Sequence, residues 1–127
     1  MAGNLSDYLE NKLLDHFLGT TTFTKPTTVY VGLYTVAPTD AGGGTQVTGG
    51  SYARQTATFS AAASGTTSNT ANIDFAGMPA ATTVAIGVFD ALTSGNLLLW
   101  GTLTANKTTD AGDTLRIATG DLDISID

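Results

Sequence analysis

Few residues in this chain could do chemistry. Nucleophilic catalysis needs a base that titrates near the working pH, and the sequence holds a single histidine, His16, and no cysteine. Ser-His-Asp, Cys-His and zinc constellations therefore lack members. His16 stands beside Phe17 in a helix-like stretch, where a surface or interface side chain is a better reading than a catalytic one. Paired carboxylates could run a hydrolysis, yet most of the aspartates fall in turn-like sequence, where Asp is expected for local hydrogen bonding. Asp121-Leu-Asp123 projects two carboxylates from one strand face, with Asp127 further along it, and hard oxygen ligands suit calcium. Calcium wants about six to eight oxygens, however, and no EF-hand or repeat-type spacing is present, so a solvated acidic face is preferred. Gly42-Gly-Gly44 invites a phosphate-loop reading but lacks the following Gly-Lys-Ser/Thr and the helix behind it. Tyr30, Tyr34, Tyr52 and Trp100 could stack on sugar rings, although strand aromatics more often pack across strands. These residues point to no enzyme, no catalytic or cofactor-binding residue and no metal.

The elements that would position such residues change abruptly at Gly19. Before it, Leu5, Leu9, Leu13 and Phe17 recur every four residues, with Tyr8 and Leu14 widening the stripe, which predicts an amphipathic helix over Asn4 to Leu18. Asn4 or Ser6 can cap its first turn, Asp7 and Glu10 suit the positive end of its dipole, and Gly19 is expected to supply a left-handed stop. A helix of about fifteen residues is marginal in water by itself, so its stripe must be buried against this protein's own sheet or another subunit. After Gly19 the period falls to two. Thr28 to Thr35 places Val29, Val31 and Leu33 on one face and Tyr30 and Tyr34 on the other. Further strands are predicted over Tyr52 to Phe59, Asn69 to Phe75, Thr82 to Asp90, Leu97 to Thr104, Thr114 to Ala118 and Leu122 to Ile126. Thr82 to Asp90, with Val84, Ile86 and Val88 together, and Leu97 to Thr104, with Leu97, Leu99 and Trp100, should form the densest core. In the last strand Leu122, Ile124 and Ile126 should face inward and Asp121, Asp123, Ser125 and Asp127 outward.

Turn-forming segments at Pro38 to Gly44, Thr48 to Ser51, Ser94 to Asn96 and Asp110 to Asp113 separate these strands. Seven short strands without a helical crossover predict a mainly β fold, an antiparallel sandwich or jelly-roll with one N-terminal amphipathic helix. The 127 residues fit one ordinary globular unit, divided here into a docking helix, 1–19, and a β-sandwich, 20–127. Without cysteine, packing must hold the fold. No basic segment precedes an apolar run, and no stretch approaches the roughly 20 apolar residues that span a bilayer, so neither general secretion nor membrane insertion is expected. Eleven acidic and five basic residues give a net charge of -6. With the basic residues scattered at Lys12, Lys25, Arg54, Lys107 and Arg116, nucleic-acid binding is disfavoured.

Asn4-Leu-Ser-Asp-Tyr-Leu-Glu-Asn-Lys-Leu-Leu-Asp-His16, Val29-Tyr-Val-Gly-Leu-Tyr34 after Pro26, Pro38-Thr-Asp-Ala-Gly-Gly-Gly-Thr45 and Gly50-Ser-Tyr-Ala-Arg54, in this order, resemble a family of small tailed-bacteriophage virion proteins commonly labelled tail-fibre or structural proteins. Ile86-Gly-Val-Phe-Asp90, Gly95-Asn-Leu-Leu98, Gly112-Asp-Thr114 and Gly120-Asp-Leu-Asp123 extend the likeness over nearly the whole chain. One departure is the short Ala-Gly-Met-Pro-Ala-Ala-Thr stretch after Phe75, where relatives often carry a longer segment with tryptophan. The resemblance implies a virion structural protein without an active site, assembled in the host cytoplasm and bound to other phage structural proteins. Lack of internal repeats favours a capsid-decorating, cement-like brick on the major capsid protein over a fibre shaft. A tail or tail-fibre component is the alternative, followed by a carbohydrate- or calcium-binding module. Leu5, Tyr8, Leu9, Leu13 and Phe17 on the helix, with Tyr30 and Tyr34 on the first strand, are the expected interface. Homo-oligomerisation is expected from pairing-competent strand edges.

Overall fold

Alternating Val/Leu and Tyr over Val29–Val36 demands a sheet with two different faces, and that sheet is the centre of the molecule. The computed structural model describes residues 4–126. Among them are one helix, α1 (Asp7–Phe17), and ten strands: β1 (Asn4–Leu5), β2 (Val29–Val36), β3 (Thr45–Gln46), β4 (Gln55–Ala57), β5 (Thr66–Ser68), β6 (Ile73–Phe75), β7 (Ala81–Phe89), β8 (Leu97–Thr109), β9 (Leu115–Ile117) and β10 (Asp123–Ser125). The three strands beyond the seven expected, β1, β3 and β5, are two or three residues long. Runs that short have no readable period.

The main sheet is antiparallel in the order β1-β8-β7-β2-β3, and β4 shares the outer edge of β2 with β3. Two separate ribbons, β5 with β10 and β6 with β9, make the opposing layer. Between the layers lie Val31 and Leu33 of β2, Ile86 and Val88 of β7, Ile73 and Phe75 of β6, Leu115 of β9 and Ile124 of β10, with Met78 and Leu122 from the connections. This is a mainly β, antiparallel sandwich with an N-terminal helix. Buried Asn69 ties the opposing layer together: its amide donates to the carbonyls of Ala71 and Ala118, and its carbonyl accepts from the Gly120 and Leu122 amides. Every polar arm of that side chain is thus used, as burial requires.

Several sequence expectations are displaced by irregular pairing. Leu98 enters the core while Leu97 packs on the far side, because the register shifts between Val88 and Phe89. Trp100, expected in the core, is half-buried and donates its ring N–H to Asp40 at 3.0 Å. Ile126, expected inward, is 56% exposed. β8 runs on to Thr109, and between its pairs Thr83↔Lys107 and Ala85↔Thr102 four residues bulge out opposite Val84. Such a bulge blunts an edge that would otherwise offer a free ladder.

The helix begins later than its periodicity suggested. Asn4 and Leu5 are extended and pair with Trp100 and Leu99, so Leu5 lies on a strand and not in the helical stripe. Ser6 is the cap: its hydroxyl accepts the Leu9 amide at 3.2 Å while its own amide donates to the Leu98 carbonyl. Two fixed neighbours thus set where α1 starts. At the other end the cap is Leu18 in right-handed geometry. Gly19 is required for space and not for a left-handed turn, since a Cβ there would lie 2.9 Å from the Asp15 carbonyl oxygen.

Candidate functional site

Two surfaces stand out, the free end of α1 and the outer face of the central sheet. On α1, Tyr8 and Leu9 pack against the core and Leu13 is half-buried, whereas Leu14, Phe17 and Leu18 are 57%, 74% and 83% exposed. The first half of the helix is therefore seated on the protein's own sheet, and the second half presents apolar side chains to solvent. His16 belongs to this end. Its Nδ1 accepts the Phe23 amide at 3.1 Å and its ring meets Phe17 edge-on, folding the Gly19–Thr28 linker back on the helix.

On the outer sheet face, Gly32 and Gly87 stand opposite each other and leave room for aromatic rings to lie flat. A Cβ on Gly87 would meet Leu97, Tyr34 and Phe89 atoms at 2.8, 2.9 and 3.1 Å. Tyr34 and Phe89 stack over this floor with centroids 6.2 Å apart, and Tyr30, Val84 and Leu97 close around them. The Arg54 guanidinium rests on the Phe89 ring at 3.5 Å from its centroid, a cation–π contact. Its Nη1 donates to the carbonyls of Ala91 and Ser94, both at 2.8 Å, and its Nε to Gln46 Oε1 at 3.3 Å. One side chain thereby holds the Asp90–Asn96 loop against the sheet.

That loop is also fastened from within. The Asp90 carboxylate accepts the Asn96 backbone N–H at 2.7 Å and its side-chain amide at 2.8 Å. Partial burial works against the Asp90 charge, but the Asn96 bonds and Arg54 outweigh it and hold the carboxyl below its ordinary value. Burial pushes the phenols of Tyr34 and Tyr52 up, and desolvation draws the Arg54 guanidinium down, opposed by the neighbouring phenols and Asp90. Between the loop and β3 runs an open groove of about 380 Å³ with Gln46, Thr48, Tyr52, Arg54, Thr93 and Ser94 on its walls.

The residues singled out from sequence are scattered over these surfaces. Leu5, Tyr8, Leu9 and Leu13 lie at or beside the seated half of α1, and Phe17 at its free end. Tyr30 is half-buried and Tyr34 only 3% exposed, enclosed by the protein's own Ala85 and Phe89. Tyr52 stacks on Phe75 and accepts the Leu33 amide at 2.8 Å, so Tyr34, Tyr52 and Trp100 do not form one stacking platform. Asp123 accepts the Ser68 hydroxyl, Asp121 lies in the turn before β10, and Asp127 is outside the described residues. Among the described residues, no three His, Cys, Asp or Glu side chains gather as metal ligands. Gly42-Gly-Gly44 makes the turn after β2, where Thr39 pairs with Gly42. Sequence reasoning passed over Arg54 and the Asp90–Asn96 loop. The available signal was an arginine just after the Thr48–Ser51 turn and an Asp six residues before an Asn across Ser94-Gly95.

A family model described as Podophage GP4 fiber I protein gp80 matches residues 4–125. Comparison with curated proteins found no match.

Proposed function

The chain belongs to this podophage fiber protein family and is a component of the virion, and from that premise we propose that it serves as a tail-fibre part attached through the free end of α1. The family match, which covers nearly the whole chain, carries this reading and favours it over the capsid-decorating role expected from the lack of repeats. A fibre need not be a repetitive shaft. A small sandwich can form one segment or tip of a longer assembly, so the missing repeats weigh little.

The attachment element is supported by the asymmetry of α1. Among the described residues Leu14, Phe17 and Leu18 are mostly left uncovered, and fully burying one such side chain contributes about 1.5–3 kcal/mol. Other phage structural proteins, including further copies of this chain, are the partners. Each contact is modest and becomes strong through repetition on a symmetric particle. The sandwich itself supports a binding and structural role in place of catalysis, with His16 turned to fixing the linker.

Locating the chain in particles by electron cryomicroscopy tests the tail assignment: density at the tail is expected, and density spread over the shell would restore the capsid role. Phe17→Asp with Leu14→Asp tests the attachment. Incorporation should fall at least tenfold while the circular dichroism of the sandwich is retained. Full incorporation of this variant would overturn the docking role.

A further inference from the structure

The groove between β3 and the Asp90–Asn96 loop has an unusual lining in a chain with eleven acidic residues. Among the described residues no carboxylate lines it, whereas the groove beside the start of α1 carries Asp7 and Asp40 and the one beneath β8 carries Asp121. Three of its polar side chains are held by part of their hydrogen-bonding capacity and keep the rest open. Arg54 uses Nε and Nη1, leaving Nη2. Gln46 uses Oε1 as the acceptor for Arg54, leaving its NH2 group. Tyr52 uses a lone pair for the Leu33 amide, leaving its hydroxyl proton. Among the described residues these three remaining groups have no partner, and all three are donors. Gln46 and Tyr52 stand side by side over β2, since a Cβ on Gly32 would lie 3.1 Å from Gln46 Oε1 and 3.3 Å from the Tyr52 hydroxyl. Asp90, whose charge acts on Arg54, is hydrogen-bonded by Asn96.

We propose that this groove binds an acidic sugar through its carboxylate. A set of anchored donors around one arginine, with no carboxylate among the lining residues, suits a carboxylate ligand, which offers only acceptors. The hydroxyls of Thr48, Thr93 and Ser94 on the walls match a polyhydroxylated ring, and a volume of about 380 Å³ suits a small ligand. A single cation is too little for a polyphosphate, and the net charge of -6 repels long polyanions, so one carboxylated sugar residue is selected. The site lies in the folded sandwich and does not depend on α1 being the attachment point.

Titration of the isotopically labelled protein with sodium glucuronate, followed by NMR, tests this. Saturable shifts are expected for the amides of Thr48, Ala53, Thr93 and Ser94, with methyl glucoside binding at least tenfold more weakly. Gln46→Glu keeps an acceptor for Arg54 Nε but replaces the NH2 donor with a negative charge. It should weaken glucuronate binding at least tenfold while the spectrum stays that of the folded protein. Arg54→Gln should do the same and also free the loop. Equal affinity for methyl glucoside, no shift with glucuronate at tens of millimolar, or undiminished binding by Gln46→Glu would overturn the proposal. So would N-acetylglutamate or inorganic phosphate binding as tightly as glucuronate, because the groove would then be a general anion or peptide site.

Discussion

The two faces of the central sheet are made by the same two strands and hold together in opposite ways. On the inner face, Val31, Leu33, Ile86 and Val88 meet Ile73, Phe75 and Leu115 of the opposing layer, and apolar mass fills the space. On the outer face, the residues in between are Gly32, Tyr34, Ala85, Gly87 and Phe89, and there the missing side chains matter most. Two glycines make a floor, two aromatic rings lie on it, and one arginine fastens a loop over them. The inner face should therefore fail by subtraction and the outer face by addition. The first is a non-directional contribution from burial, tolerant of shape, and the second is a set of placed contacts, tolerant of very little.

The largest effect is expected at Phe75, which is fully buried and stacked on Tyr52. Phe75→Ala leaves a cavity that the surrounding strands can only partly fill, at a cost of about 3–5 kcal/mol. Denaturant melts should show a lower midpoint. A loss below about 1 kcal/mol would mean that the inner face is not the main source of stability. On the outer face, Gly87→Ala adds one methyl group where atoms of Leu97 and Tyr34 already stand 2.8 and 2.9 Å from the new carbon. Overpacking of this kind costs about 1–3 kcal/mol. Near-ultraviolet dichroism of the Tyr34–Phe89 stack should change while far-ultraviolet dichroism stays native. A neutral Gly87→Ala would erase the distinction between the faces.

Much of this contrast was legible in sequence where alternation was long. β2 placed Val29, Val31 and Leu33 on one face and Tyr30 and Tyr34 on the other, as found. The reading failed where an irregularity moved a residue by one place. The bulge opposite Val84 and the shift between Val88 and Phe89 turned Val84 and Leu97 toward the outer cluster and put Leu98 in the core. Leu5 continued the helical spacing, yet a strand partner 94 residues away, Leu99, and the Ser6 cap held it extended. Local pattern carries no information about such a partner. The same limit hid the candidate groove. Arg54 read as one of five scattered basic residues, because its meaning lies in Phe89, Ala91 and Ser94, all of them at least thirty-five positions later in the chain.

The smallest expected effect separates the faces by pH. Among the described residues the inner-face cluster holds no carboxyl group, whereas the outer loop depends on the Asp90 carboxylate, which Asn96 and Arg54 together hold below its ordinary value. A carboxyl whose folded pKa is depressed binds its proton more readily in the unfolded chain. Its contribution is therefore complete above the unfolded value of about 3.9 and is lost as pH falls through the lower folded value. On acidification from pH 7, the Asn96 backbone and side-chain amide resonances should stay fixed until below about pH 4 and then move together. Loop amides should begin to exchange faster over that range, while the Leu33 and Ile86 amides stay protected. Because Asp90 is only partly buried and its partners lie in or against one surface loop, the change should be confined to the loop and leave the global melting temperature nearly unmoved. An Asn96 transition at or above the ordinary carboxylate value would mean that Asp90 gains nothing from its partners. The loop over the outer face would then rest on Arg54 alone.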